Sequence, residues 1–196
     1  MARPDRTDER REELLPVVAE AFARLGYRRT TTATLAKLCG IRENVLYRLW
    51  PDKKAMFLAA MRYVYDRSER IWEEQAAVGP EGTVATRLLA YESRHLGDFG
   101  LHRILFAGLS ETDDPEIRTH LRETYRRFER WIRRRIESHR KLLGSRRGPD
   151  AELVAWALVG LGTIAMVGRE IDLFPAGRRA RLIEEGGRLL IDGGAP

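Results

Sequence analysis

Apolar residues recur every three or four positions through almost the whole chain, and no stretch alternates as a half-buried strand would. With that period and no other, the fold class is all-α, built from helices that bury stripes against other helices. Leu14, Leu15, Val18, Phe22 and Leu25 form the first stripe, which Gly26 closes as a helix stop. Pro16 falls inside that stripe, so either the packed helix starts near Pro16 or a longer helix is bent there. In "TTTATLAKLCG" a threonine can cap a second helix that turns Leu35, Ala36 and Cys39 inward, and Gly40 ends it. Ile41 leads into a third, short helix with Leu46 and Leu49 inward. Pro51 and Asp52 start a long fourth helix carrying Met56, Phe57, Ala60, Tyr63, Val64, Ile71 and Trp72 at helical spacing. After a break at 78–83, helices are expected near 83–97, 101–111, 115–143, 150–171 and 178–191. The breaks between them fall at 97–100, 112–115, 144–149 and 174–177, giving about nine helices in all, and "DGGAP" makes a frayed end.

The 196 residues are 43% hydrophobic and 33% charged, enough for a packed core and against wholesale disorder. The longest apolar run, 153–168, falls short of the ~20 residues a membrane span needs. The charged start "MARPDRTDERREE" lacks a signal peptide's apolar stretch. A single cysteine, Cys39, rules out an intramolecular disulfide and fits a reducing cytoplasm, where the protein is expected to reside without contacting a membrane. As free cysteines are usually buried, Cys39 is read as a packing residue rather than a redox sensor. The net charge of +6 is unevenly spread. Residues 1–55 carry +4, 56–117 carry −5, 118–147 carry +9 and 148–196 carry −2. A basic first block suits a polyanionic partner.

Three spacings in the first block belong together. Ala36 is followed four residues later by Gly40 and ten later by Leu46. A helix-turn-helix needs a small residue where its helices cross, a glycine in the turn, and an aliphatic residue returning from the second helix. Over residues 14–57 the chain resembles the TetR family, the tetracycline-repressor-like regulators of bacteria. The resemblance is carried by "LLPVVAEAFARLGY", "TTTATLAKLCGI" and "VLYRLWPDKKAMF", including Phe22, Gly26, Tyr27, Thr30, Thr31, Leu35, Ala36, Gly40, Ile41, Leu46, Tyr47, Trp50, Lys53 and Phe57. Three positions depart from the pattern: Arg42 replaces a small capping residue, Leu49 a histidine or aromatic, and Pro16 interrupts the first helix.

In such a motif the second helix lies in the major groove with its first residues at the base edges. Arg42 and Asn44 are suited to bidentate contacts with guanine and adenine, and Val45 to a thymine methyl. Tyr47, Arg48, Lys53 and Thr31 are then placed at the phosphates, which set register and supply most of the affinity. Arg42 also has an ordinary reading as part of a solvated helix start.

Elsewhere the bland readings win. The arginine-rich helix 117–141 turns Leu121, Tyr125, Phe128, Trp131 (or Ile132) and Ile136 inward, leaving its arginines as a solvated face. Glu92 and His95 form one Glu-x-x-His pair, whereas a di-iron bundle needs two and further glutamates. No metal, cofactor or catalytic constellation is expected, and the chain is read as not an enzyme.

Segment 153–171 is apolar nearly all round, so it must be covered on every side. One face is expected on its own core, the other against the same helix of a second copy. Trp156, Gly160, Ile164 and Gly168 would meet Leu182, Gly186 and Leu189 of the last helix there. The resemblance further implies a small-molecule effector in the C-terminal bundle, with Tyr91, His95, Phe106, Phe128, Trp131 and Trp156 as candidate lining residues. The expectation is therefore a homodimeric repressor that reads a palindromic operator in double-stranded DNA through residues 1–52. Residues 53–196 would bind the effector and dimerise. The alternatives are a ligand-independent DNA-binding regulator, or an all-α carrier or enzyme keeping a helix-turn-helix as a relic.

Overall fold

In the computed structural model the residues described are 6–77, 83–97, 100, 102–144 and 148–193. Among them every regular element is helical. The elements are α1 (Arg6–Arg29), α2 (Thr32–Leu38), α3 (Glu43–Leu49), α4 (Lys53–Ala77), α5 (Val84–His95), α6 (Arg103–Leu109), α7 (Pro115–Leu142), α8 (Ala151–Glu170), α9 (Ala176–Arg181) and α10 (Gly187–Asp192). α9 runs through a π-helical turn (Leu182–Gly186) into α10 with right-handed angles at both junctions, so these three segments make one rod. Most of the 78–83 break, residues 98, 99 and 101, the centre of the 144–149 break and the last three residues lie outside the described residues.

The chain divides into two compact units. The first holds residues 1–68 and 99–124, the second 69–98 and 125–196, so α4 and α7 each supply both. In the first unit Val18, Phe22, Leu35, Leu46, Met56, Phe57, Met61, Ile104 and Ile117 are fully buried, as the helical stripes require. Phe57 anchors an aromatic group, with Phe22 at 5.0 Å and Tyr27 at 4.9 Å between ring centroids.

α1 continues through Pro16 with helical backbone angles, which selects the longer helix of the two readings left open above. Its backbone leaves helical geometry at Gly26 (φ 76°, ψ 168°), where a side chain would be strained. Thr30, buried, donates its hydroxyl to the Gly26 carbonyl at 2.6 Å. Asp52 caps α4 as expected, accepting from the Ala55 amide at 2.7 Å.

The second unit packs Ala85, Leu89, Ile136, Val154, Ala155, Ala165, Ile183 and Ile191 together. A methyl at Gly187 would stand 2.4 Å from Leu89 Cδ2, so the absent side chain lets α10 approach α5. His139, buried on α7, meets the Thr83 hydroxyl through Nδ1 at 2.6 Å and Asp192 through Nε2 at 3.0 Å. That one imidazole ties together the start of α5, the end of α7 and the end of α10.

One expectation needs correcting. The apolar run 153–168 is short, but α8 extends past it at both ends to 20 residues and is long and apolar enough to cross a membrane. Val154, Ala155, Ala165 and Gly168 are buried, while Leu153 is 67%, Trp156 38% and Ile164 41% exposed. The helix is thus covered by its own unit on one side only.

Candidate nucleic-acid interface

The turn between α2 and α3 closes by backbone hydrogen bonds that follow from its sequence. Gly40, at φ 64°, donates to the Lys37 carbonyl at 3.2 Å, and the Ile41 amide reaches the Ala36 carbonyl at 3.0 Å. A left-handed residue here redirects the chain at little cost only because it is glycine. Ala36 and Leu46 are buried, and Leu49 and Trp50 join them on the inward side of α3.

What remains outward on α3 is polar. Arg42 occupies the N-cap with extended backbone and makes no side-chain capping bond, so its guanidinium stays exposed. Asn44, Tyr47 and Arg48 are exposed, with Tyr47 at 49%, and Val45 is half-buried. Thr31 is exposed at the start of α2, where its Oγ accepts from the Thr34 amide at 3.1 Å. All seven expected DNA-contact residues thus lie on α3 or at the helix ends beside it.

Thr32 carries a role the sequence reading missed. Its hydroxyl donates to the Glu43 carboxylate in a short hydrogen bond and accepts from the Tyr47 hydroxyl at 3.2 Å. One side chain on α2 therefore holds both the first and the fifth residue of α3. Nothing in "TTTATL" distinguishes its third threonine, Thr32, from the two before it.

The two lysines after Pro51 go different ways. Lys53 donates Nζ to the Tyr27 carbonyl at 3.2 Å and lies 4.3 Å from that ring's centroid, a cation–π contact. Lys54 pairs with Glu116 at 2.7 Å and Asp114 at 3.2 Å, and these partners, Glu116 first, raise its pKa. Asp114 also caps α7 by accepting from the Glu116 and Ile117 amides. The amide of Ile117 leads the causes that hold the Asp114 carboxyl below its ordinary pKa.

The candidate effector residues are less gathered. The Tyr91 and His95 rings meet at 4.6 Å, tilted by 34°, and Phe128 and Trp131 pack round Trp72 at 5.6 and 4.9 Å. Glu92 accepts from the Trp72 indole at 2.6 Å, which explains a carboxylate one turn from His95 without a metal. Phe106 belongs to the first unit, and Trp156 is partly exposed on α8. Among the described residues no group of three or more His, Cys, Asp or Glu side chains is placed to hold a metal ion. Burial pushes the Cys39 thiol pKa up, which disfavours the reactive thiolate.

The candidate dimer residues also divide. Trp156, Gly160, Ile164 and Leu189 are exposed, Leu189 at 65%. Leu182 packs partly on its own core, and a methyl at Gly186 would touch Leu161 at 3.5 Å. Gly168 is buried, and a Cβ there would sit 2.5 Å from the Phe174 ring, so its smallness serves a contact within the subunit.

Comparison with known proteins converges on the same residues. The model of the family "Bacterial regulatory proteins, tetR family" matches residues 14–60. The nucleoid occlusion factor SlmA of Vibrio cholerae serotype O1 is 33% identical over 158 residues, covering 77% of this chain and 79% of the relative. The chain belongs to the tetR family. It is a DNA-binding transcriptional regulator. A second SlmA, from Aliivibrio fischeri, is 31% identical over 82% of this chain and 83% of its own length. The TetR-family regulator of Cytophaga hutchinsonii superposes with a TM-score of 0.81 at 18% identity, covering 98% of each chain. FadR of Bacillus subtilis, solved with stearoyl-CoA, gives 0.72 at 17% identity over 93% of this chain and 98% of its own. At such identities the last two report the shared fold alone.

Proposed function

We propose that this tetR-family protein is a cytoplasmic repressor that binds a palindromic operator as a homodimer and is released by a small-molecule effector. Residues 1–52 read the DNA, and residues 53–196 dimerise and hold the effector. The observation that carries the dimer is the open apolar row on α8, Leu153, Trp156, Gly160 and Ile164, with Leu189 on the adjoining α10. A soluble chain gains by covering such a row, and a two-fold axis there would match paired half-sites ~34–36 Å apart. Arg42 and Asn44 read bases, Val45 a thymine methyl, and Thr31, Tyr47, Arg48 and Lys53 phosphates. An effector in the bundle would act by preferring the spacing of reading heads that does not fit the operator. Sedimentation of the protein with and without a selected duplex tests this. Two protomers per palindromic duplex are expected, and a monomer on a single half-site would refute the reading.

A second reading, nucleoid occlusion, is favoured by relatives that carry that name and align over about four-fifths of their length. Sequencing the DNA bound in cells separates the two. A site or two beside a promoter supports the repressor, and many sites spread over the chromosome support the other.

A further inference from the structure

α3 is only seven residues long, and such a helix depends on its neighbours for stability. Thr32 secures its first turn. Its last turn ends in carbonyls without helical donors, and Pro51, two residues on, has no amide hydrogen to offer. The donor comes from α1. Arg11 Nε donates to the Leu49 carbonyl at 2.6 Å, across 38 residues of sequence. Arg11 is itself held from one turn earlier, where its Nη1 meets Asp8 Oδ1 at 2.7 Å. A guanidinium at the carbonyl end of a helix is also favoured by the helix dipole.

We propose that Arg11, oriented by Asp8, is a positioning residue for DNA readout: it fixes the end of the recognition helix so that Arg42 and Asn44 meet base edges in register. This gives a purpose to the first turns of α1, which precede the core stripe beginning at Leu14. It rests on α3 being the reading helix. The alternative for a basic residue here is direct contact with a phosphate, which would strengthen binding to any duplex alike.

The test measures dissociation constants for a selected operator and a scrambled duplex over a salt series. The proteins are the full chain, Arg11→Met, Arg11→Lys, Asp8→Asn and the double variant Arg42→Ala/Asn44→Ala. Arg11→Met keeps much of the stem but no donor, and should cut the operator-to-scrambled ratio by roughly ten-fold, the worth of one charge-assisted hydrogen bond. The salt slope should not change. Arg11→Lys should restore most of the ratio, and Asp8→Asn should lower it. Amide hydrogen exchange should quicken in α3 of Arg11→Met and not in α8; if the methionine variant does not fold, Arg11→Lys against Asp8→Asn decides. Equal losses on both duplexes with the salt slope falling by about one, and tighter binding by Asp8→Asn, would assign Arg11 to a phosphate and overturn the inference. An unchanged ratio in Arg11→Met, while the double variant loses it, would overturn Arg11 alone. A double variant that keeps the ratio would remove α3 as the reading helix and Arg11's role with it.

Discussion

In the proposed dimer, replacing Leu189 by alanine should separate dimerisation from folding, because 65% of this leucine is exposed in the single chain. Burying a whole leucine side chain is worth about 1.5–3 kcal/mol. With two-thirds of that still to be gained, the interface stands to receive about 1–2 kcal/mol per copy, and two-fold symmetry counts it twice. The leucine-to-alanine change forfeits most of it, so the dimer dissociation constant should rise roughly 30- to several-hundred-fold. Each subunit already holds its own core through Ile183 and Ile191 on the same rod, so the melting of the dilute monomer should stay within about a degree or two of the parent. Sedimentation equilibrium over a concentration series reads the first quantity, and thermal circular dichroism at high dilution the second. An unchanged dissociation constant would place the dimer surface elsewhere. A large fall in monomer melting would mean that Leu189 packs within its own subunit.

Other outcomes follow from particular contacts. His102 has a buried Nδ1 without a hydrogen-bond partner, and burial lowers its pKa to about 4. The unfolded chain therefore binds the extra proton first, and stability should fall by up to about 3 kcal/mol as pH drops from 6.5 to 4, then level off; urea unfolding of His102→Leu should lack that slope. Gly40→Ala forces a side chain into the left-handed region, costing roughly 1–2 kcal/mol, read as a lower denaturant midpoint with an unchanged slope. Lys54→Met should weaken operator binding less than Arg48→Ala in a filter-binding titration, since Lys54 is spent on Glu116 and Asp114 while Arg48 is exposed. His139→Phe removes the hydrogen bonds to Thr83 and Asp192 and should cost about 1–3 kcal/mol of unfolding free energy, read by urea denaturation.

The reading motif was legible because its geometry depends on close neighbours in sequence. Ala36, Gly40 and Leu46 lie within eleven residues, and their types state directly what the turn and the crossing demand. The outward set on α3 followed from the same period. The anchors were not legible, because each joins residues far apart in sequence. Arg11 and Leu49 are 38 residues apart, and Lys53 and Tyr27 are 26 apart. No local pattern says that Lys53 lies over a ring while Lys54 turns to α7. Gly168 shows the same limit, since a glycine on an apolar helix reads as room for a partner when it is room for Phe174. Pro16 was ambiguous for a different reason: at the eleventh position of α1 it takes away the Glu12 carbonyl's helical donor, and only the packing of Leu14 and Val18 on either side shows that the helix continues through it.

The most direct test of the account is selection of bound duplexes from a random-sequence pool at a series of salt concentrations, followed by sequencing. The account predicts that one palindrome is enriched, with half-sites about one helical turn apart, and that Arg42→Ala/Asn44→Ala abolishes the enrichment while weaker binding to any duplex persists at low salt. Binding without an enriched sequence, or no binding at low salt, would contradict it.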